Sequence, residues 1–357
     1  MKIAVLGGGF AGLSLAWYLC RYTTGSARID IYDPAPITMG ASRVSLGILN
    51  PYMGRQAKKA WESDHCIKEV HRLITESSNA GEKPIILATG LLRPACTQEQ
   101  IQEFQARASD YSDTQWWDKA ACEKAVQGLQ LPFAGGGLYI PHAVTLNIDQ
   151  YLRGLWINIA RHSVQYLKFS VLGKDTLAPY DRVVIAMGAN CLDFAVLKDL
   201  PITRVKGQVL QLKWPEHLPP LPMSVAGEGQ LVMSPDYKSC LVGSTYERDF
   251  KDFHSDQEFA RREILNKISP FFPSLASAPI IECRARIRAS SKSHLPMLGK
   301  VNDKIWFYTG LGSKGLLYHA WASSKLAQAV LLNDVSLIPT ELFYPFEQKP
   351  TEPPLPH

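Results

Sequence analysis

The short apolar run Ile3-Ala4-Val5-Leu6 is followed at once by Gly7, Gly9 and Gly12, and that spacing limits what the chain can become. In a G-x-G-x-x-G register the first glycine permits a tight turn and the second lets a pyrophosphate approach the backbone. The third lets a helix pack closely against the strand it has just left. Residues 11–21 continue as such a helix should, and its first amides, beside Phe10 and Ala11, are placed to hold phosphate oxygens. A second apolar run, Arg28–Tyr32, ends in Asp33. That acid stands about 20 residues beyond Gly12, the spacing at which a carboxylate reaches the ribose of an adenine dinucleotide.

The opening also imitates a secretory signal, with Lys2, an apolar stretch and the small residues Thr24-Gly25-Ser26-Ala27. Strand, glycines, helix, second strand and terminal acid in that order favour nucleotide binding instead. No other stretch approaches the roughly 18 apolar residues of a membrane helix, so stable membrane insertion is not expected. Cys20, Cys66, Cys96, Cys122, Cys191, Cys240 and Cys283 form no C-x-x-C pair. They read as reduced thiols of a cytoplasmic protein, without metal or disulfide framework. A formal charge of +5 over 357 residues permits contact with an anionic partner. It does not by itself argue for nucleic acid, which calls for clustered Lys and Arg.

Past Asp33 the chain reads Gly40-Ala41-Ser42, then Gly47, with Pro51 and Tyr52 close behind. Here it resembles the D-amino-acid oxidase superfamily of FAD-dependent amine oxidoreductases, in which such a Gly-Ala-Ser turn touches the pyrophosphate and the next segment passes the flavin. The resemblance extends through GLYIPHAVTLNIDQYLRGL, SVQYLKFSV, RVVIAMGAN, VKGQV, LVGSTYE and TGLGSKGLLYHAWASSKLA, in that order. It implies that Val171 packs on the adenine, that Ala186 and Gly188 close over the cofactor, and that Gly310, Gly312, Ser313, Lys314, Gly315 and Leu316 border it. Non-covalent FAD is expected. Some relatives attach FAD through a Cys before the last FAD-domain strand, and Cys283 lies several residues too early for that.

The fold implied is α/β, a Rossmann-like FAD-binding domain of the GR2 type with a second α+β substrate domain built on an antiparallel sheet. Residues 1–80, 146–200 and 286–357 are expected to form the first domain, and 81–145 with 201–285 the second. Breakers stand near these crossings, Gly81 with Pro84 and Pro201. Helices are expected over 98–109, 149–162, 257–267 and 315–332, none with an internal Pro.

Oxidation of an amine passes a hydride equivalent from the carbon next to nitrogen to flavin N5, so the chain has to orient its substrate and supply positive charge near the reduced ring. In ECRARIRASSKSHLPMLG, strand alternation puts Arg284, Arg286 and Arg288 on one face. The resemblance makes Arg288 the bidentate ligand of a substrate carboxylate, a task for Arg rather than Lys. Arg286, Tyr52, Tyr246 and His294 are further pocket candidates. Lys314 stands at the start of the last helix, where dipole and ammonium add at the flavin pyrimidine edge. No nucleophile motif and no dedicated base is visible.

Two branches of the superfamily are nearest: glycine oxidase-like enzymes acting on free small amino acids, and the FAD-dependent half of the bifunctional tRNA 5-methylaminomethyl-2-thiouridine biosynthesis enzyme, which removes a carboxymethyl group from a wobble-uridine amine. A small-molecule amine is the first reading, with tRNA the partner under the alternative. GLGSKGLL and SKSHLPMLG lean to the tRNA branch, although Lys314 stands where that branch has Arg. A redox-silent flavin-binding scaffold and an NAD dehydrogenase stay open. The electron acceptor and oligomeric state are not readable.

Overall fold

The computed structural model describes residues 1–37, 39–81, 83–131, 135–168 and 174–346. The opening strand Lys2–Leu6 lies inside a six-stranded sheet, between Arg182–Ile185 and Arg28–Tyr32. Val164–Leu167 continues one side in parallel, and the antiparallel pair Ile305–Thr309 and Met297–Lys300 closes the other. Residues 3–6 are all buried because both faces of the sheet are covered. Ile3 and Val5 point into a core shared with helices Phe10–Tyr22, Ile148–Ile159 and Gly315–Leu332, while Ala4 and Leu6 point to the opposite core.

The second sheet runs in the order Ile280–Ser291, Ile202–Lys213, Ser239–Gly243, Gln230–Met233, Ser224–Ala226, Ile86–Pro94, Gly136–Leu146 and Ile48–Leu49, with Gln115–Asp118 also paired to Gly136–Leu146. Its pairings are antiparallel except for the one between Ser224–Ala226 and Ile86–Pro94. Helix Gln257–Ile268 packs on one face through Ala260, Ile264 and Ile268. The opposite face carries Val209, Val232 and the three arginines of the edge strand. The expected α/β class with a second, antiparallel sheet is what the chain adopts.

Helix starts follow from capping. Thr97, Asn147 and Asp256 each accept a backbone N–H from the third residue of the helix they open, which sets the starts at Gln98, Ile148 and Gln257. The helix expected to reach 162 stops at Ile159, because Val164 must pair with Ile29 and the chain needs the intervening residues to turn. Helix Ser63–Ala80 was not singled out in the sequence. It buries Cys66, Val70, Leu73, Ile74 and Ser77 against the helices Ile148–Ile159 and Gly315–Leu332. Strand Ile280–Ser291 runs unbroken through 286, and the chain enters the first sheet only at Met297. Among the described residues no helix is long and apolar enough to cross a membrane.

Candidate active site

The cleft between the two sheets has a volume of about 810 Å³. Its floor begins at the turn after Lys2–Leu6. Gly7 has φ +113°, and a Cβ there would stand 2.4 Å from the carbonyl oxygen of Ala186. At Gly12 a Cβ would stand 1.8 Å from the Gly7 carbonyl oxygen, so only glycine lets the helix start this close to the strand. Gly9 caps helix Phe10–Tyr22 with no side-chain partner. The Phe10 N–H donates to Ser42 Oγ at 3.1 Å, and the Gly8 N–H donates to Asp33 Oδ2 at 2.6 Å. Asp33 Oδ1 accepts from Ala35 N at 2.8 Å, which fixes a carboxylate that still borders the cleft.

A second helix start opens into the same cleft. Lys314 caps Gly315–Leu332 without a side-chain bond, and its carbonyl accepts the first intrahelical bonds from the N–H groups of Leu317 and Tyr318. The N–H groups of Gly315 and Leu316 precede those bonds and carry the positive end of the helix dipole. Lys314 itself is half-buried, and burial pushes its ammonium below the ordinary lysine range. The loop before it is held by Gly312 N donating to Ala289 O at 2.7 Å and by Thr309 Oγ1 donating to Gly188 O at 2.9 Å.

The substrate side is the edge strand. Arg288 is partly buried, and its Nη2 donates to Ser244 Oγ at 2.9 Å. The guanidinium lies across the backbone of Gly207, where a Cβ would stand 2.2 Å from Nη2. Among the described residues no carboxylate pairs with it, and desolvation lowers its pKa. Arg286 borders the cleft too, with Nε and Nη2 donating to Met39 O and Nη1 to Ala285 O. Arg284 shares their face but turns to Glu282 and Gln211, away from the cleft.

Gly7, Gly9, Phe10, Ala11, Asp33, Ala41, Ser42, Gly47, Ala186, Gly188, Gly310, Gly312, Ser313, Lys314, Gly315, Leu316, Arg286 and Arg288 all line this one cleft. Gly12 lies behind it, and Val171 lies outside the described residues. Three pocket candidates do not line the cleft. Tyr52 is 1% exposed with its hydroxyl donating to Asp113 at 2.5 Å, so its side chain is committed to a separate core. Tyr246 is 47% exposed beside Arg248, and His294 sits on an exposed turn with φ +56°. Asn50, Met53, Ser244 and Thr309 also line it; Ser244 and Thr309 stand inside LVGSTYE and TGLGSKGLLYHAWASSKLA, whereas no local pattern marks Asn50 and Met53. Cys283 is likewise outside the cleft, its thiol at 3.7 Å from Gln208 Oε1 and pushed up to about 11 by burial.

Among the described residues, the lining includes no His, Cys or Glu. Asp193 is paired with Arg204, which leaves Arg286, Arg288 and Lys314 against Asp33. This is a cationic cleft with two helix N-termini at its base. A glycine cradle, a fixed ribose-distance acid and a Ser beside the first helix start fit the dinucleotide that the resemblance implies.

A family profile described as FAD dependent oxidoreductase matches residues 2–329. The chain is 22% identical over 377 residues to the tRNA 5-methylaminomethyl-2-thiouridine biosynthesis bifunctional protein of Methylobacillus flagellatus, covering 92% of this chain and 56% of that one. It is 24% identical over 376 residues to the bifunctional protein ThiO/ThiG of Nostoc sp., covering 97% and 55%. The chain thus spans about half the length of the curated relatives it matches. It superimposes on iminodiacetate oxidase from Chelativorans sp. with a TM-score of 0.80 at 19% identity, covering 97% of this chain and 100% of that one, a likeness of fold.

Proposed function

The chain belongs to the DAO family of FAD-dependent oxidoreductases, and from that premise we propose that it oxidises the C–N bond of a small amino acid or secondary amine of the glycine, N-alkyl glycine or D-amino-acid type. FAD, when bound, would supply the oxidising power by accepting a hydride equivalent from the carbon next to nitrogen. The observation that carries the reading is Arg288: a partly buried guanidinium facing the cleft with no acidic partner among the described residues.

In this reading the amides at Gly9 and Ala11 hold the pyrophosphate without a covalent link, Phe10 packs beside it, Asp33 takes the ribose hydroxyls, and Ser42 steadies the first helix start by accepting the Phe10 N–H. The N–H groups of Gly315 and Leu316, with Lys314, place positive potential at the pyrimidine edge. Arg288 grips the substrate carboxylate with its planar fork, and Ser244 holds the fork in place. Arg286 and Lys314 raise the positive potential along the cleft. A substrate ammonium there is destabilised relative to the neutral amine, so the nitrogen gives its proton to bulk water as it binds and no dedicated base is required. The six-stranded sheet with its helices forms the FAD domain and the antiparallel sheet the substrate domain, with crossings near 80, 146, 200 and 286.

A second reading has a specific observation behind it. Arg43, Arg284 and Arg286 cluster beside the cleft mouth, and the first-named relative acts in tRNA modification. Removal of a carboxymethyl group from carboxymethylaminomethyl-uridine in tRNA oxidises the same glycine-like amine and uses the same Arg288. Anaerobic addition of glycine, N-methylglycine or D-amino acids to the yellow protein, beside tRNA carrying that nucleoside, separates the two. Bleaching by the small amines supports the first reading and bleaching by the tRNA alone the second. A flavin that neither reduces overturns both and leaves the scaffold role.

A further inference from the structure

We propose that a separate cavity of about 210 Å³ beside the cleft, walled by Arg43, Arg284 and Arg286, binds a phosphate group carried by the amine substrate. The proposal rests on the amine-oxidising reading and adds the chemistry of the substrate's far end. Arg43 projects from the short turn Ala41–Val44, and Arg284 and Arg286 are alternate residues of the edge strand Ile280–Ser291. His254, Phe253 and Glu282 complete the wall.

Three guanidinium groups meet one carboxylate here, and that carboxylate is already committed. Glu282 Oε2 accepts from Arg284 Nη2 at 2.6 Å. Arg284 beside it holds the Glu282 carboxyl below the usual range, and Arg43 and Arg286 act on it in the same direction. Among the described residues, neither Arg43 nor Arg286 makes an ion pair or hydrogen bond with an acid. Arg286 donates only to main-chain carbonyls, and the nearest acceptor of Arg43 is Met39 Sδ at 3.1 Å. Arg43 Nε and Arg284 Nε are buried without any acceptor. Three guanidinium groups around one committed carboxylate suit an anion with several oxygens, and planar forks match phosphate.

Position gives the cavity its purpose. Val44, Phe253 and Arg286 line both the cavity and the main cleft. None of the cavity residues belongs to the Gly7–Ala11 cradle where the cofactor pyrophosphate is placed. Two residues along a strand span about 7 Å. A substrate whose reacting end lies at Arg288 therefore reaches this cavity with a phosphate one or two such steps outward.

Calorimetric titration of the FAD-loaded protein with inorganic phosphate, and then with a short single-stranded oligoribonucleotide, tests the site. Phosphate is expected to bind at one site per chain, and Arg43→Gln and Arg284→Gln are each expected to weaken it about tenfold, with FAD retained and bleaching by N-methylglycine as in the parent. Should Arg284→Gln fail to fold, Arg43→Gln alone decides. An oligonucleotide that binds more tightly than phosphate and weakens in the same variants assigns the site to a phosphodiester. Equal affinities assign it to a phosphomonoester on a small amine. Phosphate that does not bind the loaded protein, or that binds equally to parent and variants as an adventitious ion only, overturns the proposal. Bleaching by N-methylglycine without phosphate binding sinks this site alone, whereas phosphate binding without reduction by any amine sinks the reading it rests on.

Discussion

Gly207 is the residue on which the position of Arg288 turns. The two belong to paired strands, and the guanidinium lies where any side chain at 207 would begin. Gly207→Ala puts a methyl 2.2 Å from Arg288 Nη2, so the fork must leave its bond to Ser244. Affinity for a carboxylate-bearing amine is expected to fall about tenfold or more, with FAD content unchanged. Ligand titration of the flavin spectrum checks it, and unaltered affinity in the variant would show that Arg288 is not held this way. At this scale the sequence was legible where function depends on short spacing. The three glycines, Asp33, Ser42 and the Gly310–Leu316 loop are all neighbours in one cleft, apart from Gly12 behind it. Gly207 was not legible, because its role arises from pairing with a strand some 80 residues later. Tyr52, Tyr246 and His294 do not line the cleft, although Tyr246 lies close enough to Arg288 to act on its charge: residue type marks a pocket candidate, but tertiary packing decides where the side chain goes.

The last helix, Gly315–Leu332, couples the cleft to the core behind it. His319 is fully buried one turn from its start, with Nε2 at 2.6 Å from the Tyr151 hydroxyl and Nδ1 at 2.9 Å from Leu316 O. Burial pushes its pKa down to about 4, against the two carbonyl contacts that act in the other direction. In the unfolded chain a His titrates near 6.5. The unfolded state therefore binds the extra proton between those values, and stability rises with pH across that window. The contribution is complete above about pH 6.5 and is lost as pH falls toward 4. Urea unfolding at several pH values is expected to show this slope in the parent and a flatter one in His319→Gln. An unchanged slope in the variant would assign the acid sensitivity elsewhere. Elements such as this helix were readable from apolar continuity and the absence of Pro. Helix Ser63–Ala80 was less so, since only one face is apolar and the rest of it is charged or polar. The crossing near 286 has no local mark, because strand Ile280–Ser291 runs through it without a change of composition.

The whole molecule brings two sheets together over a cleft that is cationic and entered by two helix N-termini. That arrangement suits an enzyme whose cofactor performs the hard step while the chain orients an anionic amine and favours its neutral nitrogen. Sequence order alone was enough for the class of fold, because the nucleotide-binding start and the Arg-rich strand lie far apart in the chain yet follow the superfamily's sequence. The small cavity of arginines was not legible, since Arg43 comes from a turn more than 200 residues before Arg284. The central claim is that Arg288 presents a carboxylate-bearing amine for oxidation, and anaerobic mixing of FAD-loaded parent and Arg288→Ala with N-methylglycine tests it most directly. The account predicts bleaching of the parent flavin, and a reduction slower by about a hundredfold or more in the variant with the flavin spectrum otherwise intact. Equal reduction in both proteins, or a parent flavin that no carboxylate-bearing amine bleaches, would contradict it.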